Sequence, residues 1–304
     1  MDNRYAVIDL GTNTFHLLIA DRVTNGSFKE LYRKRIYVKL AEDGIERIGD
    51  KPFQRGLDAL TYFHGVMDEF QVKDATAFGT AALRTAENGG KFIQSVADQL
   101  GIQIQIIPGD REAELIYKGV VQAVDIGKAT GIIMDIGGGS VEFILYDQKG
   151  VHWAQSFPLG VAVLFNAFHK NDPITEAEIK QIEEYLQSTL APLFPEVERY
   201  QPSVMVGASG TFDVLQNMLC ENPLSPIHGI VRVEDFNPMY ERLLKSNLQD
   251  RLDDPDIPDS RAELIIVALI LINFLIKHTP VETISVSAYA MKEGILSELI
   301  QEKL

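Results

Sequence analysis

Hydrophobic and polar positions along this chain fall into short apolar runs that end in an aspartate and a small-residue turn. The run Ile132-Ile133-Met134 is closed by Asp135, followed by Gly137-Gly138-Gly139-Ser140 and then by Val141-Glu142-Phe143-Ile144-Leu145. The pattern predicts two buried strands joined by a glycine turn. Glycines there permit positive φ and let the backbone approach a ligand closely. Successive N–H groups in such a turn form a concave anion nest. Asp135 beside that nest would repel a phosphate by itself. A divalent cation resolves the conflict, because magnesium takes a few carboxylates together with phosphate oxygens. Glu142, on the returning strand, completes that cation site or supports it from behind.

The same pattern occurs at the start of the chain. Tyr5-Ala6-Val7-Ile8 is an apolar run, Asp9 ends it, and Gly11-Thr12-Asn13-Thr14 turns it into Phe15-His16-Leu17-Leu18-Ile19-Ala20. A motif met twice predicts two related halves facing each other across a cleft. Turns at Gly11 and at Asn25-Gly26 make residues 4–41 a three-stranded meander. Its third strand, Phe28 to Leu40, carries Lys29, Arg33, Lys34, Arg35 and Lys39. It reads either as an edge strand protected by charge or as a basic wall beside the cleft.

Helical and strand periods then alternate, which gives an α/β class. A helix from Pro52 places Leu57, Leu60 and Phe63-His64 on one face. The strand Ala75 to Phe78 runs into Gly79-Thr80 and a helix start, a geometry that presents N–H groups and a hydroxyl to an anion. Arg84 lies one turn further on, where its planar fork reaches a phosphate. Lys91 to Leu100 and Arg111 to Asp125 are helices, the second with Asp110 as N-cap. Glu112 shares a helical phase with Ile116 and Val120 and so points inward, while Glu114 and Lys118 make an exposed pair. An inward carboxylate near a phosphate site is a candidate general base with a pKa raised by burial.

The second half repeats the opening with a third strand, Gly150 to Phe157. Helices follow at Val161 to Phe168 and from Thr175 to about Leu193, the latter with Thr175 and Glu178 at capping-box spacing. The strand Ser203 to Val206 ends in Gly207-Ala208-Ser209-Gly210-Thr211, a third small-residue turn before a helix and so a third anion seat. Pro- and Asp-rich loops are read at Asn222 to Gly229 and Asp250 to Ser260, with Asp259-Ser260 capping a buried helix from Arg261. Leu264 to Ile276 is too short to span a bilayer and belongs inside that helix. Ile284 to Val286 is a last strand. Ala290 to Leu304 is a closing helix expected to pack back on the first half. The domains expected are residues 1–124 with 291–304, and residues 125–290.

Totals narrow the partners. The chain has 304 residues and a net charge of −15, which argues against duplex nucleic acid or an anionic membrane as the main partner. Cys220 is the single cysteine, so a reducing cytoplasm is expected. The start of the chain shows no signal pattern. The six histidines show no metal-ligand spacing, and His16 and His64 read as packing residues.

Seven segments taken in order resemble the exopolyphosphatase / guanosine pentaphosphate phosphohydrolase family (Ppx/GppA): VIDLGTNTFHLLIA from Val7, FGTAALR from Phe78, IPGDREAELIYKGV from Ile107, MDIGGGSVEFIL from Met134, FPLG from Phe157, VGASGT from Val206 and VSAYAMKEGIL from Val286. The likeness runs from about residue 4 to 300. It implies two ribonuclease-H-like domains of the actin-like ATPase type and the release of a terminal phosphate from inorganic polyphosphate, or conversion of pppGpp to ppGpp. Magnesium is the implied cofactor, with manganese as the alternative. By the resemblance, Glu112 matches the catalytic glutamate that deprotonates water. Asp135, Glu142 and Asp9 match the acidic groups at the metal. Gly11, Thr12, Asn13 and Thr14, with Gly137, Gly138, Gly139 and Ser140, match the two phosphate loops. Arg84 matches an arginine of the family that faces the phosphates, and Gly207, Ser209, Gly210 and Thr211 match the third loop.

Three positions depart from the family pattern. Arg111 stands where many relatives have a second glutamate, Lys292 replaces a usual arginine, and a common glycine is missing from Arg261–Leu271. They put substrate preference and chain length in question but leave Glu112 and Asp135 in place. Larger relatives add C-terminal helical domains, so processive use of very long chains is not expected here. Two rival readings remain at this point: a non-catalytic sensor of ppGpp or polyphosphate, and an actin-like small-molecule kinase. A monomer and a homodimer are both open.

Overall fold

A computed structural model describes residues 4–23, 27–72, 75–127, 129–220 and 223–301. The turn expected at Asn25-Gly26, the loop start at Asn222 and the helix end at Leu304 lie outside these residues. Packing divides the chain into two units. One is Met1–Gly119, Gly137–Gly139 and Met291–Leu304; the other is Val120–Ile136 and Ser140–Ala290.

The first unit is built on a five-stranded sheet. Strands β1 (Arg4–Leu10), β2 (Thr14–Arg22) and β3 (Phe28–Tyr37) form an antiparallel meander. Helix α1 (Asp50–Glu69) leads to β4 (Ala75–Gly79), which pairs parallel to β1. Helices α2 (Ala81–Thr85) and α3 (Gly89–Leu100) lead to β5 (Ile104–Ile106) and then α4 (Gly109–Ala123). The sheet order is β3-β2-β1-β4-β5. Alternation decides which side chains meet. Ala6, Ile8, Leu10, Leu17 and Ile19 bury one face with Leu60 and Phe63 of α1 and Phe92 of α3. Asp9 falls in the opposite phase.

The second unit repeats the plan. Strands β6 (Gly131–Ile136), β7 (Val141–Asp147) and β8 (Gly150–Phe157) form the meander. Helices α5 (Val161–Phe168), α6 (Glu176–Thr189) and α7 (Phe194–Tyr200) precede β9 (Val204–Ala208), which pairs parallel to β6. Then come α8 (Gly210–Leu219), β10 (His228–Arg232), α9 (Val233–Leu244), α10 (Leu248–Leu252), α11 (Asp259–Ala262), α12 (Ile265–Lys277) and β11 (Thr283–Ser287). The order is β10-β11-β9-β6-β7-β8. Read from the meander edge, both sheets run third, second, first, then two parallel strands. Each unit is therefore a ribonuclease-H-like α/β layer, with one further antiparallel edge strand in the second. Helix α12 is apolar apart from Asn273 and its terminal Lys277 and is buried through Leu275, packed against α5, α6 and α9. Among the described residues no helix is long and apolar enough to cross a membrane.

Helix α13 (Met291–Gln301) belongs to the first unit and packs on β1. A Cβ at Gly294 would overlap the carbonyl oxygen of Leu115, so only glycine lets α13 lie that close to α4. The helix is also tied by charge. Glu298 pairs with Lys118 at 2.5 Å and with Arg111, and Glu114 pairs with the same two cations at 2.7 and 2.6 Å. Glu293, fully buried, lies 2.8 Å from Arg33 of β3 and 3.3 Å from Lys292.

Several details differ from the sequence expectations. Asp110 lies inside the first turn of α4 and accepts from the Arg111 N–H, because the helix starts at Gly109. Asp259 likewise sits in the first turn of α11, whose N-cap is Pro258. The helix expected to reach Leu193 ends at Thr189 and a new one starts at Phe194. His64 is partly exposed beside Asp68 rather than packed. Strand β10 and helix α9 were not anticipated.

Candidate functional site

The first turn joins β1 to β2, and main-chain hydrogen bonds fix it. Gly11 N–H donates to Thr14 O at 3.0 Å, Leu40 N–H to Thr12 O at 2.7 Å and Val38 N–H to Asn13 O at 2.9 Å. The Thr12 hydroxyl accepts from the Ala82 N–H at 3.2 Å, which ties the turn to the start of α2. Thr12, Asn13 and Thr80 are buried.

The second turn, Gly137–Gly139, rests on this assembly. A Cβ at Gly138 would come within 2.7 Å of the Asn13 amide. A Cβ at Gly139 would come within 2.7 Å of Thr12 Oγ1 and 2.8 Å of Ala81 Cβ. This corrects the sequence argument: neither Gly138 nor Gly139 has positive φ. Both are needed because two turns and a helix start press on them. Sequence pattern cannot show such a demand, since it comes from residues far away in the chain.

Arg84 and Glu112 meet in the same unit. One Arg84 nitrogen, Nη1, donates to Ile107 O at 2.6 Å and to Glu112 Oε2 at 3.2 Å. Glu112 is 7% exposed, and Ile116 and Val120 of its helix face are buried with it. Arg84 and Glu112 form one ion pair with the acid inward and the cation partly open.

Asp135 and Glu142 face each other across the β6–β7 ladder, and Ser156 of β8 faces Glu142. Directly opposed residues project on one face of a sheet. Asp135 is 9% exposed and Glu142 2%. The Ser156 hydroxyl donates to Glu142 Oε1 at 2.6 Å. Two buried carboxylates side by side suit a hard cation. Among the described residues no three His, Cys, Asp or Glu side chains assemble as a metal-holding group. A magnesium ion needs no such cage, because one or two carboxylates with phosphate and water oxygens suffice.

The third turn lies at the end of the neighbouring strand, β9. The Ser209 hydroxyl donates to Ile136 O at 2.8 Å, and Asp135 is level with Ala208. Ser209 has φ 79, a left-handed value costly for a serine, and caps α8. A Cβ at Gly210 would overlap the Arg261 guanidinium, and Thr211 is buried. Asp9 ends β1 level with His16 of β2 and Phe78 of β4. His16 is a polar partner rather than a packing residue: its Nε2 lies 2.9 Å from Thr14 Oγ1.

Sequence reasoning missed Ser156, His16 and Arg261. The internal duplication held the one available signal. The offset that carries Asp9 to Asp135 also carries Gly11 to Gly137, Thr14 to Ser140 and His16 to Glu142.

Comparison with known proteins places these features. The chain is 35% identical to an exopolyphosphatase from Cytophaga hutchinsonii of known structure, with a TM-score of 0.94 and 98% of each chain covered. The Aquifex aeolicus member of the Ppx/GppA family shares the fold, with a TM-score of 0.79 at 22% identity over 99% of this chain and 98% of that one. Over 98% of its length the chain is 28% identical to a guanosine-5'-triphosphate,3'-diphosphate pyrophosphatase of Vibrio cholerae, and it spans 59% of that relative. The Photobacterium profundum protein of the same name is 27% identical with the same coverage. The model of the Ppx/GppA phosphatase family matches residues 19–303. The chain belongs to the Ppx/GppA phosphatase family.

Proposed function

We propose that this chain is a phosphohydrolase that uses water to release the terminal phosphate of inorganic polyphosphate, or to convert pppGpp to ppGpp. The observation that carries this is a short path of contacts inside one unit. Gly139 abuts Ala81, Ala81 opens α2, and Arg84 at the end of that helix touches Glu112. A turn suited to phosphate and a buried acid are thereby linked through one cation.

In this scheme N–H groups of the Gly11–Thr14 and Gly137–Ser140 turns hold the terminal phosphate and stabilise the charge that grows on it. Arg84 takes a phosphate oxygen while keeping Glu112 in place. Glu112 orients a water and accepts its proton as the water oxygen bonds to phosphorus. The bond to the bridging oxygen breaks, and the electron pair leaves with the shortened chain. Asp135 and Glu142, each two residues from the second turn along the chain, are the proposed ligands of magnesium or manganese, with Asp9 as the acid of the first turn. A bound cation would neutralise phosphate oxygens. The Gly207–Thr211 turn is proposed for a further phosphate or a nucleotide's sugar-phosphate. The single cysteine and these substrates point to the cytoplasm.

Glu112→Gln tests the assignment. Phosphate release should fall about 10²–10⁴-fold, with tripolyphosphate binding retained. Release at the parent rate would remove Glu112 from the mechanism.

A further inference from the structure

The duplication sets two three-residue rows in equivalent places, one in each unit, and their chemistry differs. In the first unit the row across β1, β2 and β3 is Asp9, His16, Arg35. In the second, across β6, β7 and β8, it is Asp135, Glu142, Ser156. The first row carries its own guanidinium and imidazole. The second carries two carboxylates and a neutral hydroxyl, so it is the row with charge to offer a cation.

Ser156 is the member of that row with no assigned role. Its hydroxyl donates to Glu142 Oε1 at 2.6 Å, within the short range of hydrogen bonds to an ionised carboxylate. A carboxylate held on one oxygen has its rotation fixed. A neutral donor does this without cancelling the charge that attracts the cation, as a lysine or arginine at this position would. Groups hydrogen-bonded behind a metal-binding carboxylate set its orientation and the affinity of the site.

We propose that Ser156 is a positioning residue that orients Glu142 for the divalent cation; this rests on the placement of the cation at Asp135 and Glu142 proposed above. Ser156 acts through Glu142 and touches no reacting atom.

The test is Mn²⁺ binding to the full chain, followed by the electron paramagnetic resonance signal of the free ion, in the parent, Ser156→Ala, Ser156→Thr and Glu142→Gln. Ser156→Ala should weaken Mn²⁺ binding about tenfold, and Ser156→Thr, which keeps the hydroxyl, should stay within about threefold of the parent. The magnesium concentration for half-maximal phosphate release should shift in parallel, with kcat at saturating magnesium little changed. A merely structural serine would lower thermal stability and kcat without moving the metal dependence. Parent-like Mn²⁺ binding in Ser156→Ala beside weakened binding in Glu142→Gln would overturn the role of Ser156. Parent-like binding in Glu142→Gln as well would overturn both the inference and the cation placement, while phosphate release by the parent and its loss in Glu112→Gln would still stand.

Discussion

Arg84 has two duties in the proposed mechanism. Its Nη1 holds the Ile107 carbonyl and the Glu112 carboxylate, and the proposal gives the rest of its fork to an anion. Lysine offers a point charge and cannot reproduce that planar geometry. Arg84→Lys should therefore lower kcat/KM about ten- to a hundredfold, the worth of one charged hydrogen bond. Steady-state kinetics on tripolyphosphate would check this, and parent-like kinetics would show that the fork is not used. Gly139 makes a steric counterpart. An added methyl would meet Thr12, Ala81 and Ile45 together, so Gly139→Ala should cost about 1–3 kcal/mol in stability. Denaturant titration measures it. Residue identity at both positions was legible in the sequence, but its cause was not. The glycines were read as permissive dihedrals, whereas contact from residues elsewhere in the chain demands them.

At the scale of elements, α13 shows what pattern reading gives and withholds. Its apolar positions announce a helix that packs. They do not announce the close approach at Gly294 or the partners of Glu293 and Glu298. Gly294→Val should destabilise the fold by at least about 1–3 kcal/mol, because the Leu115 backbone cannot step aside. Glu298→Ala should cost no more than about 1 kcal/mol, because its partners are partly exposed, and high salt should erase that difference. Thermal melts of both variants at low and high salt separate packing from charge. Arg111, one of the departures that put substrate preference and chain length in question, spends its fork on Glu114 and Glu298. Burial opposes its charge, yet those two carboxylates raise its pKa. Helix ends were the least legible feature. Pro192 and Pro195 stand at the break after Thr189, where a proline cannot continue a helix, whereas the break before Ile265 has neither proline nor glycine to announce it.

At the scale of the molecule, the two-unit plan was legible because a strand, an aspartate, a turn and a second strand recur at one offset. Strand β10 and helix α9 lie outside that repeat and carried no such signal. Two groups of the second unit, Glu178 and His169, contribute to the response to acid. Glu178 accepts from Lys170 N–H, Thr175 N–H and the Thr175 hydroxyl at 2.7–2.8 Å. Burial disfavours its charge, but these donors and the Asn171 amide outweigh it and hold the carboxyl at about 2 against the ordinary 4.5. Its stabilising effect is present above pH 4.5 and is lost as pH falls towards 2. His169 is pushed below its ordinary 6.5, first by burial and then by Arg251, with Asp172 and Glu178 opposing. The unfolded chain therefore binds that proton more readily, and stability falls as pH drops below about 6.5. Urea midpoints against pH should show both losses. Glu178→Gln should flatten the part below pH 4.5, and His169→Phe the part just below 6.5.

The most direct measurement is orthophosphate release from tripolyphosphate, long polyphosphate and pppGpp, each with magnesium and with a chelator. The expected result is release from at least one of the three with magnesium and its loss with the chelator. No release from any of them by folded, magnesium-loaded protein would contradict the assignment of hydrolysis to this chain.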